Sequence, residues 1–133
     1  MALDNIQKSE LVIAKILALL MEWGVNSTQL KFEELELDDE YVSYFIPCIN
    51  WLVAESVIRT GSIKQFTSLD GIVMNPVLSS YGMRILGLEV SLDGNSMTLA
   101  KAVKDVQSGE RLYSQLGNFS GGFLGSLIKS VSS

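Results

Sequence analysis

The run from Phe32 to Arg59, FEELELDDEYVSYFIPCINWLVAESVIR, limits the folding choices of this chain more than any other stretch. Asp38 or Asp39 can accept from the unpaired amides of a first helical turn, and Glu40 places negative charge where the helix dipole favours it. A helix is therefore predicted from this point. Val42, Phe45, Ile49, Leu52 and Val53 recur at three- and four-residue steps, which puts them on one face and requires a core to receive them. Ser43, Tyr44, Asn50, Trp51 and Glu55 fall on the other side. Pro47 removes one backbone donor and crowds the preceding turn, which predicts a kink or a split into two helices near Ile46. The β-branched pair Val57 and Ile58 then suits a strand.

Upstream, Asp4 can cap a helix from Asn5 to about Trp23, with Gly24 where a left-handed turn ends it. Ile6, Ile13, Ile16, Leu17 and Leu20 supply one buried side. Val12 and Leu19 need a second cover, from the C-terminal segment or from another copy of the chain. Gln29 to Leu35 reads as a short second helix. After the long helix, Ile63 to Thr67 alternates like a half-buried strand, Ser68 to Gly71 is the hairpin turn on its Asp-Gly signal, and Ile72 to Met74 returns. Asn75-Pro76 ends the pairing. Ser79 or Ser80 caps a helix to Leu86, Gly87 to Ser96 reads as a connector, and Thr98 to Val106 as a modest helix with Leu99, Val103 and Val106 inward. From Leu112 to Val131, Leu116, Phe119, Phe123, Leu127 and Ile128 have helical spacing, interleaved with Gly117, Gly121 and Gly125 four residues apart. Interior glycines cost about 1 kcal/mol each relative to alanine, so such a helix needs packing to order it.

The order helix, helix, strand, hairpin resembles a winged-helix domain. FEELELDDEYVSYFIPCINWLVAESVIRTG is similar to the second and third helices of that family, and Val57 to Val77 to its wing. LSSYGMRIL (Leu78 to Leu86) is similar to the leucine-serine/threonine-x-x-glycine helix start that follows many such wings. The resemblance implies an α+β fold, a three-helix core with a β-hairpin wing, over residues 1–90. Residues 91–133 are expected to form a C-terminal helical extension packed on the domain or on a second chain. Many winged helices lay the third helix in the DNA major groove, with basic side chains on phosphates.

Charge argues for a different partner. No lysine or arginine lies between Lys31 and Arg59, whereas Glu33, Glu34, Glu36, Asp38, Asp39, Glu40 and Glu55 all do. Such a surface repels a phosphate backbone. The whole chain carries a net charge of −5, which suits a basic protein partner. Glu33, Glu36, Asp39 and Glu40, with Tyr44 and Trp51 as aromatic anchors, are the candidate partner-binding residues. Lys31, Arg59, Lys64 and Arg84 are the candidate phosphate contacts for a DNA-binding dimer.

The chain has no histidine and one cysteine, Cys48, so no internal disulfide can form. A lone cysteine among Ile46, Pro47 and Ile49 reads as a packed thiol in a reducing compartment. Neither a zinc-ligand spacing nor a nucleophile elbow is present, and the acidic cluster lacks the oxygen and glycine spacing of a calcium loop. Gly121-Gly122-x-x-Gly125 lacks the lysine continuation and preceding strand of a phosphate loop. No catalytic residue, cofactor or metal is therefore expected. MALDNIQKSE has no basic n-region or small-residue cleavage site, Leu11 to Met21 is too short to span a bilayer, and a cytoplasmic location without membrane association is expected. The expected function is a non-enzymatic protein-binding module, one concrete form being an immunity or antitoxin-like inhibitor of a basic toxin. A DNA-binding regulator and a scaffold component are the alternatives. Homo-oligomerisation through the first helix and the C-terminal segment is expected.

Overall fold

In the computed structural model, which describes residues 5–65, 71–92 and 95–108, the chain is α+β, with helices packed on small antiparallel sheets. Helix α1 (Asn5–Trp23) is the centre. Gly24, at φ +61°, terminates it in the left-handed conformation that glycine adopts without steric cost. Val12, Ile13, Ile16, Leu17 and Leu20 are buried, so α1 is covered on more than one side. The second cover is α4 (Leu99–Ser108), which packs along α1 through Leu99, Ala102 and Val103. No second copy is needed to bury Val12. Leu19 is half-buried. Asp4, the side chains of Ile6 and Val106, and residues 109–133 with the expected glycine-faced helix lie outside the described residues.

The expected helix over Gln29–Leu35 is corrected. Gln29–Lys31 is a strand, β1, and only Phe32–Leu35 is helical, as a single 3-10 turn. Leu30 is fully buried between half-buried neighbours, the alternation of a strand rather than a helix. Glu36, at φ 55°, ends the 3-10 turn, and the Lys31 amide donates to Glu34 Oε1 at 3.3 Å.

A second 3-10 turn, Asp39–Tyr41, leads into α2 (Val42–Ala54). Neither Asp38 nor Asp39 forms a side-chain cap there: Asp38 stands at the cap position of the turn without such a bond. Of the kink or split predicted near Ile46, the split does not occur, since Val42–Ala54 is one helix with Pro47 inside it. Proline removes one donor, but its residue lies on the exposed side. Phe45 and Ile46 before it and Cys48, Ile49 and Leu52 after it are all buried, and packing holds the helix together. The buried face is also turned from the expected one. Ile46 and Cys48 join it, whereas Val53 is 40% exposed, because α1 packs on the Ile46–Cys48 side. Ser56, at φ 64°, closes α2: its amide donates to Val53 O and the Val57 amide reaches back to Leu52 O, both at 3.0 Å. This is the hydrogen-bond pattern of a helix stop that usually carries glycine.

Strands β2 (Ile58–Arg59), β3 (Ile63–Gln65), β4 (Gly71–Met74) and β5 (Val77–Leu78) form one long hairpin. Ile58 pairs with Leu78 and Ile63 with Val73, so the two ladders continue the same register across an interruption at Asn75–Pro76. Asn75 has φ 50° and its amide donates to Thr28 O at 2.9 Å. Ser27 Oγ donates to Pro76 O, fastening the start of β1 to the same point. Strand β1 pairs with β4, giving the sheet order β1-β4-β3. Leu30, Val73 and Ile63 share its inner face. The expected turn at Ser68–Gly71 is outside the described residues except for Gly71, which already belongs to β4 opposite Gln65.

Helix α3 (Ser80–Leu86) starts as expected, with Ser79 Oγ accepting from the Gly82 amide at 2.9 Å. The connector expected over Gly87–Ser96 is instead largely a second hairpin, β6 (Glu89–Leu92) and β7 (Asn95–Thr98), in which Leu92 pairs with Asn95. The boundary expected between residues 90 and 91 falls inside β6. Asp93-Gly94 between these strands repeats the Asp-Gly signal read at Asp70-Gly71. Thr98 Oγ1 accepts from the Lys101 amide at 3.2 Å and caps α4. Among the described residues, no helix is long and apolar enough to cross a membrane.

Candidate protein-binding cleft

Tyr44 and Trp51 stand seven residues apart on α2 and are both half-buried. They line a cleft of about 220 Å³ between α2 and the first half of α1, together with Pro47, Cys48, Ser9 and Ile13. Its walls are mostly apolar, and its polar groups are tied down. Tyr44 Oη donates to Asn5 Oδ1 at 2.8 Å, the Cys48 thiol to Ser9 O at 3.6 Å, and Ser9 Oγ to Asn5 O at 2.8 Å. Burial pushes the Cys48 thiol up to about 12, so the thiolate needed for nucleophilic or redox chemistry is not formed near neutral pH.

One acidic residue is paired with α1, the helix that carries Ser9 and Ile13. Glu40 stands four residues before Tyr44 and lies 4.0 Å from Lys8 on α1, a solvated pair of little energetic weight. Asp39 adjoins Glu40 in the same 3-10 turn, and both are exposed. Glu33 and Glu36 are exposed on and just after the Phe32–Leu35 turn and are not among the residues lining the cleft. Tyr41 belongs to the core: it is buried, its ring lies 6.4 Å from that of Tyr44, and its hydroxyl pKa is raised by desolvation and then by Glu40 and Asp38.

The four candidate phosphate contacts separate into two groups. Lys31 and Lys64 both pair with Ile72, one from each side of β4, so they occupy one row on the outer face of the sheet. Two strand spacings set them about 10 Å apart. Arg59 is exposed in the β2–β5 ladder, and Arg84 lies on α3 with its guanidinium 5.3 Å from the Tyr81 ring centre. Among the described residues, no strand pairing joins Arg59 to the lysine row, and Arg84 lies on a different element.

Ser9 and Ile13 complete the cleft and Asn5 fixes Tyr44; from sequence, Ile13 reads as a core residue only, and Asn5 and Ser9 as no part of a site. Their signal is a four-residue spacing, Asn5, Ser9, Ile13, along one line of α1. Among the described residues, no group of three or more histidine, cysteine or carboxylate side chains is placed to hold a metal ion. Compared with protein-family models, curated proteins and solved structures, the chain matches none.

Proposed function

We propose that the chain is a non-enzymatic, cytoplasmic winged-helix protein that acts by binding a basic protein partner through the Tyr44–Trp51 cleft and the carboxylates beside it. The winged-helix reading is supported by the element order α1, β1, 3-10 turn, α2, hairpin, together with the sheet order β1-β4-β3. In that reading α2 stands in the place of a recognition helix. Its exposed positions are Ser43, Pro47, Asn50, Val53 and Ala54, with no basic group among them. The observation that carries the protein-binding reading is the pair of half-buried aromatics around one apolar cleft. Aromatic anchors in such recesses dominate binding energy, while rim charges set encounter rate and partner choice. Glu33, Glu34, Glu36, Asp38, Asp39 and Glu40 are all exposed, a local negative field suited to a basic surface. An immunity or antitoxin-like inhibitor that closes the substrate channel of a basic toxin is the concrete form we favour.

One observation favours a second reading, DNA binding by a dimer: the lysine row at Lys31 and Lys64 on the sheet's outer face. The two readings separate in one experiment. Titration with random duplex DNA over a salt series is expected to give no salt-sensitive binding, and affinity capture from native extract a basic protein that is lost with Trp51→Ala. Binding to duplex that weakens steeply with salt, together with capture unaffected by Trp51→Ala, overturns the first reading in favour of the second.

A further inference from the structure

A larger groove lies at the other end of α1. It encloses about 380 Å³ and is lined by Leu20, Met21, Leu78, Met83, Leu86 and Ala100, with Lys104 at one side. Met83 is 49% exposed there, one of the most exposed large apolar side chains of the described residues. The groove is thus an apolar trough walled by α1, α3 and α4, with flexible methionines on two sides that adapt to an apolar occupant.

We infer that this groove is the docking site of the chain's own C-terminal segment, folded back in cis. Three observations point to that occupant. Residues 109–133 follow directly from Ser108, the last described residue of α4, whose Ala100 and Lys104 contribute to the groove wall. The sequence Ser108-Gly109 suits a helix stop and a reversal, and the described span Leu99–Ser108 covers only about 15 Å at 1.5 Å per residue. A return of 25 residues reaches the groove with length to spare. The segment's chemistry is also complementary. It places Leu116, Phe119, Phe123, Leu127 and Ile128 at helical spacing, has only Glu110, Arg111 and Lys129 as charges, and carries three glycines four apart that permit close approach to a helix. Tethering raises its effective concentration at the groove far above that of a free partner. The inference is independent of the cleft reading, because the cleft lies on Ser9 and Ile13 and the groove on Leu20 and Met21.

The test uses the methionine methyl signals of the full chain, which has five methionines. With Phe119 and Phe123 seated in the groove, their rings displace the Met21 and Met83 methyl signals from the solvent-exposed position. Phe119→Asp with Phe123→Asp is expected to return both toward that position and to leave Met74, on the outer face of the sheet, unmoved. The wild-type displacement is expected to persist on dilution. Overhauser contacts in the wild type, read in a sample mixing labelled and unlabelled chains, keep the test independent of the variant's folding: intrachain contacts between the Met83 methyl and tail aromatic protons are expected. Unchanged Met21 and Met83 signals with no such contacts overturn the inference. Contacts found only between chains, or lost on dilution, overturn it in favour of exchange of the segment between two copies.

Discussion

The joint between the hairpin and α3 gives the sharpest stability prediction. A Cβ added at Gly82 would stand 2.1 Å from Val57 O and 3.1 Å from Val57 C. Carbon–oxygen contacts normally begin near about 3.3 Å, so the backbone has to move by about an ångström. That same carbonyl accepts from the Ser79 amide and from Ser79 Oγ, both at 3.0 Å, and Ser79 also caps α3. Overpacking costs about 1–3 kcal/mol and one disrupted hydrogen bond about 1 kcal/mol, while alanine's better helix propensity returns about 1 kcal/mol. Gly82→Ala is therefore expected to destabilise the fold by about 1–3 kcal/mol. Gly87→Ala, just past the same helix, is the control. Its φ is −82° and the nearest atoms to a new Cβ are 3.5 and 3.7 Å away, so it is expected to be neutral or to stabilise by up to about 1 kcal/mol. Urea unfolding followed by tryptophan fluorescence, with unchanged m, measures both. Equal stability of the two variants within about 0.5 kcal/mol would refute the seating of α3 on the Val57 carbonyl.

Three further outcomes follow from the same geometry. Ser56→Gly is expected to stabilise by about 0.5–1 kcal/mol in thermal or urea melts, since glycine relieves the left-handed strain at φ 64°. Leu99→Ala is expected to cost about 2–5 kcal/mol and Val53→Ala less than about 0.5, the difference between a side chain sealed under α1 and one on the open side of α2. Cys48 is expected to resist disulfide-exchange reagents until the chain unfolds. Its folded pKa of about 12 lies above the ordinary 9.0, so the thiol's contribution is complete below pH 9 and is lost as pH rises toward 12. The stability difference between wild type and Cys48→Ala should then shift against the wild type by about 1.4 kcal/mol per pH unit in that window, and a pH-independent difference would contradict it.

Local signals carried much of this architecture in the sequence. Gly24 after an apolar run and Ser79 three residues before Gly82 each stand for one physical requirement, and each is met where expected. Of the strand expected over Ile63–Thr67, Ile63–Gln65 forms as β3 but without the expected alternation, since Lys64 and Gln65 are both exposed, and Phe66–Thr67 lie outside the described residues. What escaped was set by partners distant in sequence. Gln29–Lys31 is too short to betray a strand by its own pattern; it becomes one because β4 offers an open edge and Thr28 O receives the Asn75 amide. Pro47 looked like a breaker because propensity counts one lost donor, whereas five buried neighbours decide the outcome. The β6–β7 hairpin has an Asp93-Gly94 turn signal in its sequence, but polar residues outnumber apolar ones across Glu89–Leu92 and Asn95–Thr98 taken together, so no apolar run marks a strand there. For the cleft, Tyr44 and Trp51 stood out by type and spacing, but Asn5, Ser9 and Ile13 acquire meaning only when α1 lies beside α2. The pairing of Lys31 with Lys64 likewise depends on register across three strands, which no local window contains.

Site-specific photo-crosslinking tests the central claim most directly. A benzophenone side chain replaces Asn50, the exposed neighbour of Trp51, in one protein and Lys64, on the outer face of the sheet, in another, and both are irradiated in native extract. The account predicts a discrete adduct with a basic protein from the Asn50 position and no nucleic-acid adduct from the Lys64 position. A nuclease-sensitive adduct at Lys64 with no protein adduct at Asn50 would contradict it.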